Sequence, residues 1–226
     1  MATLYMVATP IGNLEDITLR AIRILSEVDT VACEDTRHTL KLLNHLEIRK
    51  PLVACYAYDE EKGSARILRL LDQGKDVAYC SDAGTPGISD PGVMAAVRAR
   101  ETGHEVVPIP GASALTALAS AAGLFFKSVT FDGFPSPKPG RRRSRVAELM
   151  VRAEAFAMYE SPHRIVKLLA DIAGIDPDRQ VSVGRELTKI HEEFVTGSAA
   201  EVLAELSSRG EIKGEIAVLV SGAKKA

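Results

Sequence analysis

Short β-branched or apolar runs alternate along the chain with stretches of helical spacing. Leu4 to Thr9 reads as a strand, and Ile17 to Val28 follows with apolar residues at Ile17, Ala21, Ile24, Leu25 and Val28, the repeat of a one-faced helix. The pattern repeats as strand Thr30 to Cys33, helix Thr36 to Leu46, strand Leu52 to Tyr56, helix Ser64 to Leu71 and strand Asp76 to Cys80. Pro91 to Glu101 then reads as a helix, with Asp90 as its cap and Pro91 in the first turn. Glu105 to Ile109 is a strand. The run ASALTALASAA from Ala112 to Ala122 is a helix whose six alanines in eleven residues permit close packing.

Five strand-helix alternations predict an α/β fold, with a parallel sheet covered by helices on both faces. Ligands in such sheets bind beyond the C-terminal ends of the strands. Four loops fall there: Thr9-Pro-Ile-Gly-Asn13, Glu34-Asp-Thr-Arg37, SDAGTPGISDPG at 81–92, and Pro110-Gly-Ala-Ser113. After residue 123 the rhythm breaks. The stretch FDGFPSPKPGRRRSR is rich in Pro and Gly and then basic, and reads as a linker with a mobile arm. Beyond it come strand Ala155 to Tyr159, a helix from Ser161-Pro162 to about Ala173, strands Gln180 to Glu186 and Glu192 to Thr196, helix Ser198 to Ser208 and strand Glu215 to Ser221. The expected division is an N-terminal α/β domain at 1–123, a basic linker at 124–145, and a smaller C-terminal α/β domain with a mixed sheet at 146–226.

Composition narrows the classes. The 226 residues are 46% hydrophobic, enough for one large or two small cores. The net charge of −2 means that any nucleic-acid contact needs a local basic patch. With no Trp and 5% aromatics, a module built on exposed base-stacking rings is not expected. Cys33, Cys55 and Cys80 are far apart and lack metal-ligand spacing, and the five histidines form no HExxH, so no metal is expected. The thiols fit a reducing cytoplasm. The start MATLYMVATPIGN lacks the form of a signal peptide, and no run has the length of a membrane span.

The candidate chemistry lies in the loops. In SDAGTPGISDPG, the glycines admit backbone that other residues resist and the prolines fix φ. Asp82, Ala83, Gly84, Thr85 and Pro86 read as a ligand cradle, and Asp90 as a cap. Neither GxxxxGK[ST] nor GxGxxG is present. Ser113 and Ala114 begin a helix, where a capping role and an anion-binding role are evenly matched. Lys138, Arg141, Arg142, Arg143 and Arg145 place five cations in eight residues, a phosphate-binding arm or a solvated face. Tyr159-Glu160-Ser161-Pro162-His163-Arg164 forms a strand-to-helix corner. GRELTKIHE at 184–192 packs unlike charges between strands, a site or simply a salt-bridged hairpin.

Together these segments resemble the small-subunit ribosomal RNA methyltransferase I family, within the tetrapyrrole methylase superfamily. VATPIGNLEDITLRA, EDTRHT, SDAGTPGISDPG, PIPGASA, GFPSPKPGRR, YESPHRI, GRELTKIHEE and KGEIAVLV carry the resemblance, in the family's order, from residue 7 to 220. It implies two α/β domains with S-adenosylmethionine between them, and methyl transfer to the ribose 2′-hydroxyl of a cytidine in the decoding region of 16S rRNA. The implied cofactor contacts are Pro10, Ala83, Gly84, Thr85, Ser113, Ala114, Tyr159, Glu160 and Leu187. TPIGN stands where the porphyrin-precursor methylases have GxGPG, which favours the ribosomal branch over a tetrapyrrole substrate; a non-enzymatic RNA-binding assembly module is the other alternative.

A 2′-hydroxyl must lose its proton on attack, and Glu34, Asp35, Glu160 and Glu186 are candidate bases, with His38 and His163 behind them. Arg37, Arg164, Arg185 and Lys189 are candidates to hold the neighbouring phosphate. The partner is then 16S rRNA or the small ribosomal subunit, with no membrane; the superfamily implies a homodimer, and the expected location is the cytoplasm.

Overall fold

The computed structural model describes residues 1–56 and 59–223. They divide into two compact units, Met1–Ser113 and Ala114–Ala226.

The first unit is an α/β layer structure. Its strands are β1 (Thr3–Val7), β2 (Thr30–Cys33), β3 (Leu52–Ala54), β4 (Val77–Cys80) and β5 (Glu105–Ile109), in the order β3-β2-β4-β1-β5. Every pairing is parallel, as the alternation predicts. The sequences TVAC of β2 and VAYC of β4 are buried at every position because helices cover both faces. Helices α1 (Leu19–Glu27) and α2 (Thr36–His45) cover one face, where Leu25, Val31, Cys33, Leu43 and Cys80 pack together. Helices α3 (Glu60–Asp72) and α4 (Val93–Glu101) cover the other, where Leu4, Ile67, Leu71, Val77, Tyr79 and Ala99 meet. Thr18 caps α1 by accepting the Ala21 N–H. The cysteines are free and buried, and desolvation pushes the Cys55 thiol up to about 12, so these thiols pack as small apolar groups.

The second unit comprises α5 (Ala114–Ala121), β6 (Val129–Phe131), α6 (Pro139–Met150), β7 (Ala155–Glu160), α7 (Ile165–Ala173), β8 (Gln180–Arg185), β9 (Glu193–Ser198), α8 (Ala199–Ser207) and β10 (Ile216–Val220). The sheet order is β6-β7-β10-β8-β9, with β6 and β7 parallel and the other pairs antiparallel, the mixed sheet expected of this half. Alternate residues Ile216, Val218 and Val220 of β10 join Val146, Leu149, Leu168, Leu169, Val183 and Val202 in one core. Ser198 and Glu201 form a reciprocal capping box at the start of α8.

Three expectations change. The alanine helix belongs with the second unit: α5 packs on β10, and Leu118 sits beside Gly184. The unit boundary therefore falls after Ser113 rather than after residue 123. The stretch 124–145 is not a linker with a mobile arm, because it carries β6 and most of α6. The spacing Arg142, Val146, Leu149, Met150 is a helical face, and all four are buried. Finally, α4 starts at Val93 with Gly92 as its cap, not Asp90. Gly92 has φ 125°, a region that only glycine enters cheaply, and a Cβ there would lie 2.6 Å from Tyr79 Cε1. Glu60, at the start of α3, supplies the missing cap by accepting the N–H groups of Gly92 (2.7 Å) and Met94 (3.3 Å).

Candidate functional site

Strands β4, β1 and β5 are neighbours, so the loops that follow them emerge side by side. Hydrogen bonds bind those loops together. Thr9 and Gly84 exchange both backbone bonds, at 2.9 and 3.0 Å, in an isolated antiparallel bridge. Thr85 Oγ1 donates to the Ala112 carbonyl at 3.0 Å, tying the loop after β4 to the turn after β5. Gly84 adopts φ 80°, and a Cβ there would meet Ile11 Cγ2 at 3.2 Å. Pro10, Gly84 and Pro86 are buried, and Ala83, Thr85 and Ser113 are half-buried along the edge. Three peptide segments thus form one rigid ledge at the C-terminal edge of a parallel sheet, which is the place such sheets offer a ligand.

Asp82 has another task. Its Oδ1 accepts the Asp35 N–H at 3.0 Å, so it joins the loop after β4 to that after β2. Beside this contact lie Glu34, Asp35 and Asp90. Burial, followed by the charges of Asp82, Asp90 and Asp35, raises the Glu34 carboxyl above its ordinary value. Asp35 goes the other way: hydrogen bonds from the Arg37 side chain and N–H lower it to about 2. Of the two acids, Glu34 is the one that its surroundings make a better proton acceptor.

In the second unit, the corner after β7 is built around Glu160, whose side chain is buried. Its Oε1 accepts from Ser161 N at 2.7 Å and from Arg164 Nε at 2.7 Å. Its Oε2 is buried and has no hydrogen-bond partner among the described residues. A buried acceptor left open in this way has the character of a ligand contact, and an N–H or O–H donor satisfies it. Ser161 does not cap α7: Arg164 holds that position, and Ser161 closes the turn before it by accepting the Arg164 N–H at its carbonyl. Tyr159 receives the Leu115 N–H on its hydroxyl at 3.0 Å, which anchors the start of α5 beside Ala114. Leu187 is buried between two left-handed residues, Glu186 at φ 52° and Thr188 at φ 68°. Such strain persists where the surroundings fix the backbone. Glu186 Oε1 accepts from Lys189 Nζ at 2.8 Å and from the Glu215 N–H at 2.9 Å, which lowers its carboxyl. It is therefore a poorer base than Glu34.

The cations separate into two groups. Arg142 is buried, donating from Nε to Asp171 Oδ2 at 2.6 Å, and Arg143 donates to the other oxygen. Arg145 binds Asp132 and Glu148, Arg164 binds Glu160, Arg185 binds Glu193, and Lys189 bridges Glu186 and Glu215. The charged segment at 184–192 is thus the salt-bridged hairpin of β8 and β9. Arg142 in particular is withdrawn from any surface contact with RNA. Lys138 and Arg141 remain exposed, with no ion pair among the described residues, and the exposed Arg37 pairs with Asp35. Among the described residues no cluster of His, Cys, Asp or Glu is arranged to hold a metal, and no helix is long and apolar enough to cross a membrane.

Residues 3–203 match the family model described as Tetrapyrrole (Corrin/Porphyrin) Methylases. A protein of Borrelia garinii named ribosomal RNA small subunit methyltransferase I is 44% identical over 96% of this chain and 98% of its own length. The chain belongs to that family. The Pseudomonas aeruginosa protein of the same name is 43% identical over 97% of this chain and 79% of its own length, and that of Bacillus subtilis 41% over 98% and 76%. Two solved structures share the fold. Uroporphyrin-III-C-methyltransferase from Thermus thermophilus has a TM-score of 0.69 at 22% identity, covering 98% of this chain and 94% of its own. The cobalt precorrin-4 methyltransferase of cobalamin biosynthesis has a TM-score of 0.72 at 18% identity, covering 97% and 94%. The ledge formed by the loops after β1, β4 and β5, and the corner after β7, are therefore features of a methylase fold.

Proposed function

We propose that this protein methylates the ribose 2′-hydroxyl of a cytidine in the decoding region of 16S rRNA, with S-adenosylmethionine as donor. The observation that carries the reading is 41–44% identity, over nearly the whole chain, to proteins named ribosomal RNA small subunit methyltransferase I. The enzymes of macrocycle chemistry are similar at 18–22% only. A cytoplasmic homodimer acting on small subunits or their RNA belongs to the same proposal.

The donor supplies an electrophilic methyl on a sulfonium that loses its charge on transfer. The residues present fit such a group. Taken unit by unit, Ala83, Thr85 and Ser113 of the first offer backbone and hydroxyl groups on loops tied together by hydrogen bonds, and in the second Glu160 Oε2 is a buried acceptor of the kind an ammonium or hydroxyl satisfies. Glu160, already engaged by Arg164 and Ser161, serves as this fixed acceptor rather than as the base. Alignment is the main catalytic resource, because positioning of the reacting groups lowers the barrier without a strong charge on sulfur. Glu34 takes the hydroxyl proton, its raised carboxyl giving it more basicity than an ordinary glutamate. Lys138, Arg141 and Arg37 contribute phosphate contacts.

The test is transfer of radiolabelled methyl from S-adenosylmethionine to purified small subunits, free small-subunit rRNA and a tetrapyrrole precursor. A 2′-O-methyl group blocks alkaline cleavage of the adjoining 3′ linkage, so label recovered in an alkali-resistant dinucleotide that begins with cytidine supports the proposed site, and label elsewhere in the rRNA keeps the class of activity but overturns the site. Label in the macrocycle alone, or RNA binding without transfer, overturns the proposal.

A further inference from the structure

We propose that Phe134 is a stacking platform for a base of the RNA substrate, a positioning residue for the nucleotide that is methylated. The inference rests on the ribosomal reading above. It begins from an exposed aromatic ring, 58% accessible, on a loop anchored by backbone hydrogen bonds. On either side of Gly133, the Asp132 N–H donates to Ala157 O at 2.9 Å, and Gly133 O accepts the Tyr159 N–H at 2.9 Å. These bonds carry the β6–β7 pairing beyond the end of β6. The next residue, Pro135, is buried, so the chain is gripped on both sides of the ring.

The ring itself is backed by other aromatics. Phe134 meets Tyr159 at a centroid distance of 5.6 Å and an interplanar angle of 65°. Phe131 meets the same tyrosine at 4.8 Å and 62°. Tyr159 is fixed in turn through its hydroxyl, which accepts the Leu115 N–H. Edge-on aromatic contacts of this kind are favourable in themselves, and they orient the outer ring before any ligand arrives. A pre-set ring loses little rotational freedom when a base stacks on it.

The neighbourhood suits a nucleotide. Lys138 and Arg141 follow within seven residues, exposed and without ion pairs among the described residues, so an apolar surface and two cations share one segment. That pairing of aromatic face with backbone-binding cations is how single-stranded RNA is held, because each base has a π-face and each linkage a phosphate. Tyr159 also precedes Glu160, whose open Oε2 marks the end of the same strand as a ligand contact. Phe125, Phe126 and Tyr56 are exposed as well, but Phe134 is singled out by the Tyr159 ring that backs it.

The chain has no tryptophan, which makes the test direct. Full-length Phe134→Ala, Phe134→Leu and Phe134→Trp are assayed on whichever of small subunits or free rRNA the wild type methylates. Stacking of one base predicts a rise in KM of roughly 5- to 100-fold for Ala and Leu, with donor affinity unchanged by calorimetry. The Trp variant keeps a KM near that of wild type, and RNA quenches its single indole. Wild-type KM in Phe134→Leu, absence of quenching, parallel loss of donor affinity, or a change of oligomeric state on removing the ring each overturns the role. A wild type inactive on both RNA substrates instead overturns the ribosomal reading on which the inference stands.

Discussion

Replacing Arg142 by alanine is expected to destabilise the second unit and to leave the intrinsic RNA contacts in place. The side chains of Arg142 and Asp171 are 4% and 8% exposed, and Nε lies 2.6 Å from Oδ2. Removing one partner of a buried pair strands the other, at a cost of ~3–5 kcal/mol. Asp171 keeps the Arg143 Nε bond at 3.1 Å, which places the expected loss near the lower end, about 3 kcal/mol. For a chain of this length each kcal/mol lowers Tm by ~2–4 °C, so the shift is about 6–12 °C. Calorimetry and urea unfolding measure it, beside RNA affinity determined below the transition. Arg141→Ala provides the contrast: it should keep Tm and weaken RNA binding with a shallower salt dependence. Changing residues 141–143 together would mix the two effects. The double variant Arg142→Met/Asp171→Leu is expected to regain most of the stability, because an apolar pair has no desolvation to overcome. An Arg142→Ala protein with wild-type Tm and lost RNA affinity would refute the reasoning.

Other outcomes follow from the same structure. Glu34→Gln should lower single-turnover methyl transfer and remove the acid limb of its pH profile; unchanged rates would exclude it as the base. Because the folded Glu34 carboxyl is raised, its ionised form costs stability above the ordinary carboxylate value, so the same variant should raise Tm at pH 7 and not at pH 3. Glu193 is lowered from 4.5 to about 2, first by Arg209 and then by Arg185. Its stabilisation is complete above its ordinary value and lost as the pH falls from about 4.5 towards 2, so Glu193→Gln should flatten the acid-unfolding curve in that window. Gly92→Ala forces a Cβ to within 2.6 Å of Tyr79 at a left-handed φ. The expected cost is at least about 2 kcal/mol in urea unfolding, and a variant within 0.5 kcal/mol of wild type, roughly the scatter of neutral surface changes, would show that the loop relaxes freely.

The alternation of strand and helix was legible because periods of 2 and 3.6 are local properties of the chain. So were the loops that carry the ledge, since the C-terminal strand ends of a parallel sheet, where such folds bind ligands, can be placed from the alternation alone. The Arg142 helix is also written in the sequence, since Val146, Leu149 and Met150 stand at helical spacing from it, but the neighbouring prolines and run of arginines equally fit a solvated arm. What lay beyond local reading was the fate of each charge. Nothing near Arg142 in sequence announces Asp171, 29 residues away, and nothing near Asp35 announces that Asp82 will accept its N–H. The unit boundary is of the same kind, since the alanine helix gains its place only by packing on β10, the last strand of the chain.

The sequence by itself determined the layered α/β architecture, the parallel and mixed sheets and the segments of the methylase family, because hydrophobic period and motif identity are written residue by residue. Tertiary structure alone decided which acid has a raised carboxyl, which cations lack an ion pair among the described residues, and which exposed ring is backed by another. Those properties depend on burial and on partners from distant strands, and an ionisable group changes its chemistry only when such partners arrive.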